Sequence, residues 1–345
     1  MPGKTDSRVL GANAMAGAGG QAPTSAGKAG RTTKSALSRL IKSLEFRMFI
    51  LAAVLITGLS IASPYFMTYS NVLNVLDQSV VVGIVAVGMT LVILTAGIDL
   101  SVGSTVGLTG VAMAVSFPIA GFYGGLLAGL VTGAIVGTIN GVVIEKGRVA
   151  AFIVTLGMLS IGRSLTYIAS GARSIINLPP ELPKLASGMI GPIPINILFL
   201  LVLYVLAHLM LTRTKIGRTL YAVGSNPEAA RVAGLPVEGV RIGVYVITGA
   251  LCAVAAAFLA GRIQSVDPTS GTGLELDSIA AVVIGGTSLF GGRGSMIGTF
   301  FGVIIMVCIR NGLNLLGIDP YWQGTAIGTI IILAVLIERV LSTRR

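Results

Sequence analysis

Residues 79–98 read Ser-Val-Val-Val-Gly-Ile-Val-Ala-Val-Gly-Met-Thr-Leu-Val-Ile-Leu-Thr-Ala-Gly-Ile, a run without one ionisable side chain. A helix rising about 1.5 Å per residue would carry such a run through about 30 Å, the thickness of a bilayer's hydrocarbon core. Working outward from it, similar runs fall at 46–63, 102–119, 121–143, 149–169, 193–212, 241–261, 276–292, 295–315 and 321–338. With hydrophobic residues at 54% and charged residues at only 11% of 345, against about 25% charged in ordinary domains, the chain is no soluble globular domain. The expected fold class is an all-α polytopic membrane protein with about ten transmembrane helices.

Charge placement sets the topology. The net charge of +11 could suggest nucleic acid, but Lys and Arg gather in the N-terminal tail and in short loops flanking apolar runs. Glu145-Lys146-Gly147-Arg148, the stretch from Arg213 to Arg218, Arg293, and the tail with Arg339, Arg344 and Arg345 all fall on one side. Loops 64–78, 262–275 and 316–320 carry only Arg262 between them, and Arg173 and Lys184 in 170–192 are the exceptions. Short cytoplasmic loops hold the excess of basic residues, so both termini are expected in the cytoplasm. Residues 1–45, rich in Gly, Ala, Ser and Thr without an apolar run, are expected to form a disordered cytoplasmic extension. The remainder, 46–340, is expected to form one membrane domain with a cytoplasmic loop at 213–240.

Glycines indicate how the spans pack. Gly121, Gly125, Gly129, Gly133, Gly137 and Gly141 recur every four residues. At about 100° per residue the stripe drifts by about 40° per step, winding slowly round the helix in a geometry suited to close packing against a crossing neighbour or more than one. Gly294, Gly298 and Gly302 repeat the spacing. The segments 98–104 and 284–294 are glycine-rich and polar enough for the chain to be broken within the membrane, which lipid tolerates only against protein or a wet cavity.

Catalytic and metal chemistry find no footing. His208 stands alone, and Cys252 and Cys308 lie in apolar runs, so no cluster has metal-ligand spacing. Gly27-Lys28 is followed by Ala29 with no glycine five residues before Gly27, so no P-loop exists. The ionisable residues inside spans are Asp99, Arg163, Asp277 and Arg310, with Glu145 and Glu275 at edges. These mixed, scattered charges form no connected proton relay. Asp99 reads either as a helix cap or as part of a polar pathway.

The loop sequence Gly224-Ser-Asn-Pro-Glu-Ala-Ala-Arg-Val-Ala-Gly-Leu-Pro236 predicts a short helix. Asn226 supplies the N-cap, Pro227 the first helical position, Glu228 a favourable charge in the first turn, and Gly234 the stop. Ala229, Ala230, Val232 and Ala233 form too slight an apolar face to fold alone, so the helix needs a partner surface.

Glu228-Ala229-Ala230 followed by Gly234 resembles the coupling motif of ABC importer permeases, through which an ATPase subunit engages the membrane subunit. Gly88-Met-Thr-Leu-Val-Ile-Leu-Thr-Ala-Gly-Ile-Asp-Leu-Ser-Val-Gly-Ser104 resembles a hallmark of the ribose/xylose/autoinducer-2 branch of those permeases. So does Pro268 to Ser295, with Gly285-Gly-Thr-Ser-Leu-Phe-Gly-Gly292 within it, followed by Asn311-Gly-Leu-Asn-Leu-Leu-Gly317. The resemblance spans roughly 46–340.

It implies an ABC importer permease fold in the bacterial inner (plasma) membrane, translocating a monosaccharide. The implied partners are a cytoplasmic ATPase subunit, a periplasmic sugar-binding protein and a second permease copy, with no nucleic acid. ATP and magnesium would sit on the ATPase, so this chain needs no cofactor and is no enzyme by itself. The implied ATPase-coupling residues are Glu228, Ala229, Ala230, Arg231 and Gly234. The implied substrate pathway is Asp99, Ser101, Ser104, Phe152, Thr155, Asn311 and Asn314, since hydroxyls, amides and ring faces suit a sugar. Import of branched-chain amino acids or nucleosides, and an ion-coupled secondary carrier, are the competing readings.

Overall fold

The computed structural model describes residues 44–319, 321–329, 332 and 336. The disordered extension expected over 1–45 therefore falls outside the described residues, apart from its last two.

The first two long helices are α1 (Leu44–Ala62) and α2 (Tyr69–Leu94). The second begins ten residues before the apolar run that predicted it, inside the expected loop 64–78. Thr68 caps it by accepting from the Asn71 amide, and the polar residues of its first turns are matched elsewhere in the fold. Asn71 and Asn311 exchange two amide hydrogen bonds of 2.9 and 2.8 Å. Asp77 meets Arg262 at 3.1 Å and also takes the Asn196 amide. Such partners make polar residues tolerable on a helix at this depth.

Helix α3 (Val102–Glu145) is too long for one crossing: 44 residues would extend about 66 Å. It is broken at Gly121, whose φ of 69° and ψ of −177° are open only to glycine. Side chains pair symmetrically about that point. Gly125 faces Phe117, Gly129 faces Met113 and Gly133 faces Thr109, so the two arms run antiparallel as a hairpin. The glycine stripe then changes partner. Gly133 and Gly137 face the backbone carbonyls of Gly249 and Tyr245, and a Cβ on Gly141 would lie 2.8 Å from the Ile242 Cα. Those three belong to α9 (Val237–Ile263). One stripe thus serves two contacts, as its drift allows.

Between them lie α4 (Ala151–Ser170), α5 (Glu181–Ser187), the two-residue strands β1 (Met189–Ile190) and β2 (Ile193–Pro194), α6 (Ile195–Arg213), α7 (Lys215–Ser225) and α8 (Pro227–Val232). After α9 come α10 (Leu274–Ile284) and α11 (Met296–Leu315), and residues 321–329 are again helical. The run 276–292 does not cross as one helix. α10 has only 11 residues, about 16 Å, and residues 285–295 continue as irregular backbone with Gly286, Gly291 and Gly292 at positive φ. The second expected break is found at Thr95–Ser101, between α2 and α3, with Ala96 at φ 60°. Of the last expected span, residues 330, 331, 333–335, 337 and 338 lie outside the described residues.

Seven described helices are long and apolar enough to cross a membrane, counting both arms of α3 once. α2 is the most enclosed of them. Its Gly83 lies against Leu200 of α6, its Gly88 against Thr248 of α9, and its Thr90 hydroxyl bonds Thr299 of α11 at 2.9 Å. Lipid gives helix association no hydrophobic drive, so close backbone approach and interhelical hydrogen bonds, each about 0.6 kcal/mol on average, hold such a bundle.

Across the end of the bundle holding Gly121, Ile175 and Val266 form a β-bridge with two 2.9 Å bonds. The Asp267 carboxylate beside it accepts from Ser174 at 2.6 Å and from Thr269. Those donors, Ser174 foremost, hold its carboxyl below the usual carboxylate range. A depressed pKa contributes stability above the unfolded value and loses it as pH falls through the folded one. Hydrogen-exchange protection at Ile175 and Val266 is therefore expected to hold at neutral pH and fall in acid, below about pH 4. In Asp267→Asn, which cannot titrate, that acid step should be absent; a step of equal size in the variant would remove Asp267 as its cause.

Candidate functional site: the short exposed helix and the vestibule behind it

Helix α8 is built as the sequence predicts. Asn226 Oδ1 accepts from the Glu228 and Ala229 amides at 3.1 and 3.0 Å, with Pro227 opening the first turn. Gly234, at φ 78°, ends it, and the Leu235 amide returns to the Ala230 carbonyl at 3.0 Å. Only Ala230 faces inward, packed with Val223 and Val237. Glu228 and Arg231 pair at 2.6 Å on the open side. Val232 is 90% exposed, a bare apolar side chain next to Arg231.

Behind α8 lies a vestibule of about 840 Å³. Glu228 and Arg231 stand at its mouth, Glu145 and Arg148 follow α3, and Thr95, Gly97 and Tyr245 form its inner wall. Glu145 and Arg241 bridge α3 to α9 at 3.2 Å. The vestibule therefore reaches from the exposed helix to the unwound segment between α2 and α3.

That segment is held by side chains from three helices. The Tyr245 hydroxyl donates to the Ile98 carbonyl at 3.3 Å, and the Thr155 hydroxyl, which donates to the Ala151 carbonyl at 2.8 Å, lies 3.4 Å from the same Ile98 oxygen. Asp99 Oδ1 accepts from the Ser101 amide and hydroxyl at 2.9 and 2.6 Å, and the Asn140 amide donates to Ser101 Oγ at 2.9 Å. Ser104 donates to the Ser101 carbonyl and sits close to Gly162 of α4. Asp99, Ser101, Ser104 and Thr155 are thus gathered in one place and all are buried. The other expected pathway residues are elsewhere. Asn311 has its amide engaged with Asn71, Asn314 accepts from Gln323 at 2.6 Å, and Phe152 is 55% exposed on the outer side of α4 with Ile153 and Leu156.

Several contributors escaped the sequence. Asn140 was legible as the one amide in 121–143, but the glycines around it drew the reading. Tyr245 and Tyr221 carried no signal. Tyr221 matters because its hydroxyl donates to the Gly294 carbonyl at 2.9 Å. The Gly292 amide in turn donates to the Leu94 carbonyl at 2.9 Å, where Gly224 of α7 also approaches closely. From α8, therefore, a continuous contact runs through α7 and the loop 291–294 to the end of α2. Arg163, an ionisable residue within a span, holds the other irregular segment by donating to the Pro268 and Ser270 carbonyls at 2.7 and 3.0 Å.

Long apolar helices, two crossings interrupted by irregular backbone and a capped helix presented outside the bundle define a multi-pass membrane transport subunit. Residues 71–336 match the family described as "Branched-chain amino acid transport system / permease component", and the chain belongs to that family. It is 42% identical over 303 residues to the ribose import permease protein RbsC of Escherichia coli K12, covering 86% of this chain and 94% of that protein. Its identity to RbsC of Bacillus subtilis 168 is 40% over 290 residues, covering 83% and 90%. To the fructose import permease protein FrcC of Rhizobium meliloti it is 38% over 298 residues, covering 82% and 81%.

Proposed function

We propose that this chain is the permease subunit of an ATP-binding-cassette importer for a monosaccharide of the ribose type, in a bacterial inner membrane. The observation that carries the substrate class is likeness along nearly the whole chain to proteins named for ribose and fructose import. The family description names branched-chain amino acids, and import of these is the second reading. The hairpin at Gly121, the short α10 and the further helical stretch 321–329, added to the seven long helices, support ten membrane segments, α10 being a half-crossing, with both termini cytoplasmic.

In this reading α8 is the coupling helix. Glu228, Ala229, Arg231 and Val232 meet the ATPase subunit, Ala230 seats the helix on the membrane domain and Gly234 lets the chain turn away. ATP and magnesium belong to that ATPase. A binding protein delivers the sugar from outside, and a second permease copy completes the pathway. Motion imposed on α8 reaches the 95–101 segment through Tyr221 and Gly224, so the vestibule and the polar residues above it respond to the ATPase. Asp99, Ser101, Ser104 and Thr155 border the sugar's exit, while the exposed Phe152 meets the second copy and Asn311, buried against Asn71, and Asn314 join the pathway in the other packed state. The permease alternates between two packed states, each favoured by a different partner.

The test is ATP hydrolysis by the permease reconstituted with its ATPase and binding protein, across monosaccharides, polyols and amino acids. Ribose-dependent stimulation is expected. Stimulation by leucine and by no sugar would transfer the chain to the amino-acid reading.

A further inference from the structure

A second cavity, of about 210 Å³, lies toward the opposite end of the bundle from α8, among α2, α9, α10 and α11. It holds about seven water volumes, the scale of one small polyol. Its walls combine apolar side chains such as Met306 with Gln78, Arg262, Thr272, Asp277 and Arg310. None of these was among the residues expected to form the pathway.

The polar groups are only partly used. Arg310 Nη2 donates to Asp277 Oδ1 at 2.8 Å, and the Asp277 carboxylate is 5% exposed. Arg262 spends Nε on Asp77 and Nη2 on Asn74, each at 3.1 Å. The Gln78 amide donates to Asn74, and the Thr272 hydroxyl donates to the Thr269 carbonyl. Among the described residues this leaves Asp277 Oδ2, Gln78 Oε1 and the Thr272 oxygen as acceptors, with the remaining guanidinium N–H groups of Arg262 and Arg310 as donors.

A hydroxyl donates once and accepts, so neighbouring hydroxyls of one ligand need acceptors and donors side by side. This cavity presents both. Each of the two arginines is matched by an aspartate, Arg262 by Asp77 and Arg310 by Asp277. The pairs carry no net charge, which favours an uncharged ligand over an anion. Ionisable groups are costly within a membrane bundle and their retention there marks a ligand or ion path. A few oriented polar groups on apolar walls are the composition of a small-molecule site.

We infer that this cavity is a hydroxyl-recognising subsite for a monosaccharide, contained within one permease copy and entered from the side opposite the coupling helix. The inference rests on the sugar-importer reading. Cysteines placed at Val82 and Leu259, apolar lining residues on α2 and α9 that carry none of the recognising groups, test it in the assembled transporter with a membrane-impermeant thiol reagent; the native Cys252 and Cys308 are buried. With binding protein present throughout, D-ribose at about four times its apparent dissociation constant should slow labelling of both about fivefold. Ile176→Cys, 70% exposed on the same end outside the cavity, should label at one rate with or without ribose. Equal labelling of Val82→Cys and Leu259→Cys with and without ribose, in assemblies whose ATP hydrolysis ribose stimulates, would overturn the subsite and leave the importer reading intact. Protection by leucine and not by ribose would overturn the polyol class.

Discussion

Gly133→Ala is expected to lower the thermal unfolding midpoint of the purified permease, while Gly243→Ala on the neighbouring helix leaves it unchanged or slightly raised. The difference lies in what one methyl group meets. A Cβ on Gly133 would press on the Gly249 carbonyl, and a Cβ on Gly249 would press on that of Gly133. Both obstacles are backbone, which cannot rotate aside as a side-chain tip can. The hairpin arm and α9 must part, and the same displacement loosens the Gly137 contact with Tyr245 one turn away. Overpacking of a well-filled interior typically costs about 1–3 kcal/mol, and in a bundle held by close contact no hydrophobic gain offsets it. At Gly243 a methyl group meets nothing within 4 Å, and alanine is the better helix former by about 1 kcal/mol. Equal midpoints for the two variants would remove the glycine stripe as a structural contact.

What could be read from the sequence divides by how local the physics is. The caps of α8 were legible because Asn226, Pro227 and Gly234 act within a few residues of themselves. The glycine stripe announced close contact, and its drift left open one partner or more, yet period alone could not say that there are two, the first its own hairpin arm and the second α9. The start of α2 was misplaced because Asn71, Asn74, Asp77 and Gln78 read as a loop until Asn311, Asn196 and Arg262 are brought beside them. Long-range pairing of that kind leaves no mark on a single run of sequence. The glycine-rich interruption at 284–294 was visible as composition; that it leaves α10 a half-helix depends on how residues 285–295 dock on α2 and α7. For the pathway, residue type alone does not say which of the chosen side chains the fold brings together. Four of seven polar or aromatic choices gather at the 95–104 turn, while the Asn311 amide is engaged in the Asn71 pair.

Val232→Asp and Glu228→Lys are expected to abolish most sugar-stimulated ATP hydrolysis while leaving expression, insertion and thermal stability near those of the parent. Stability is spared because neither side chain supports the fold. Val232 is bare, and the Glu228–Arg231 pair is exposed at 79% and 52%, a setting in which an ion pair contributes about 0–1 kcal/mol. Reversing the charge also places a cation at the positive end of a six-residue helix, a further few tenths of a kcal/mol at such exposure. The seat of the helix, Ala230 against Val223 and Val237, is untouched. At a docking surface the same changes weigh more. An apolar anchor enclosed by a partner commonly contributes about 2 kcal/mol, so a buried aspartate in its place should weaken assembly about thirtyfold. Co-purification of the ATPase with the permease reads assembly, and hydrolysis at saturating ATPase reads coupling. If α8 transmits as well as binds, Tyr221→Phe, which removes only the hydroxyl on Gly294, should assemble normally yet hydrolyse ATP with diminished response to sugar. Full stimulation in Tyr221→Phe together with loss in Val232→Asp would confine α8 to docking and send the signal by another contact.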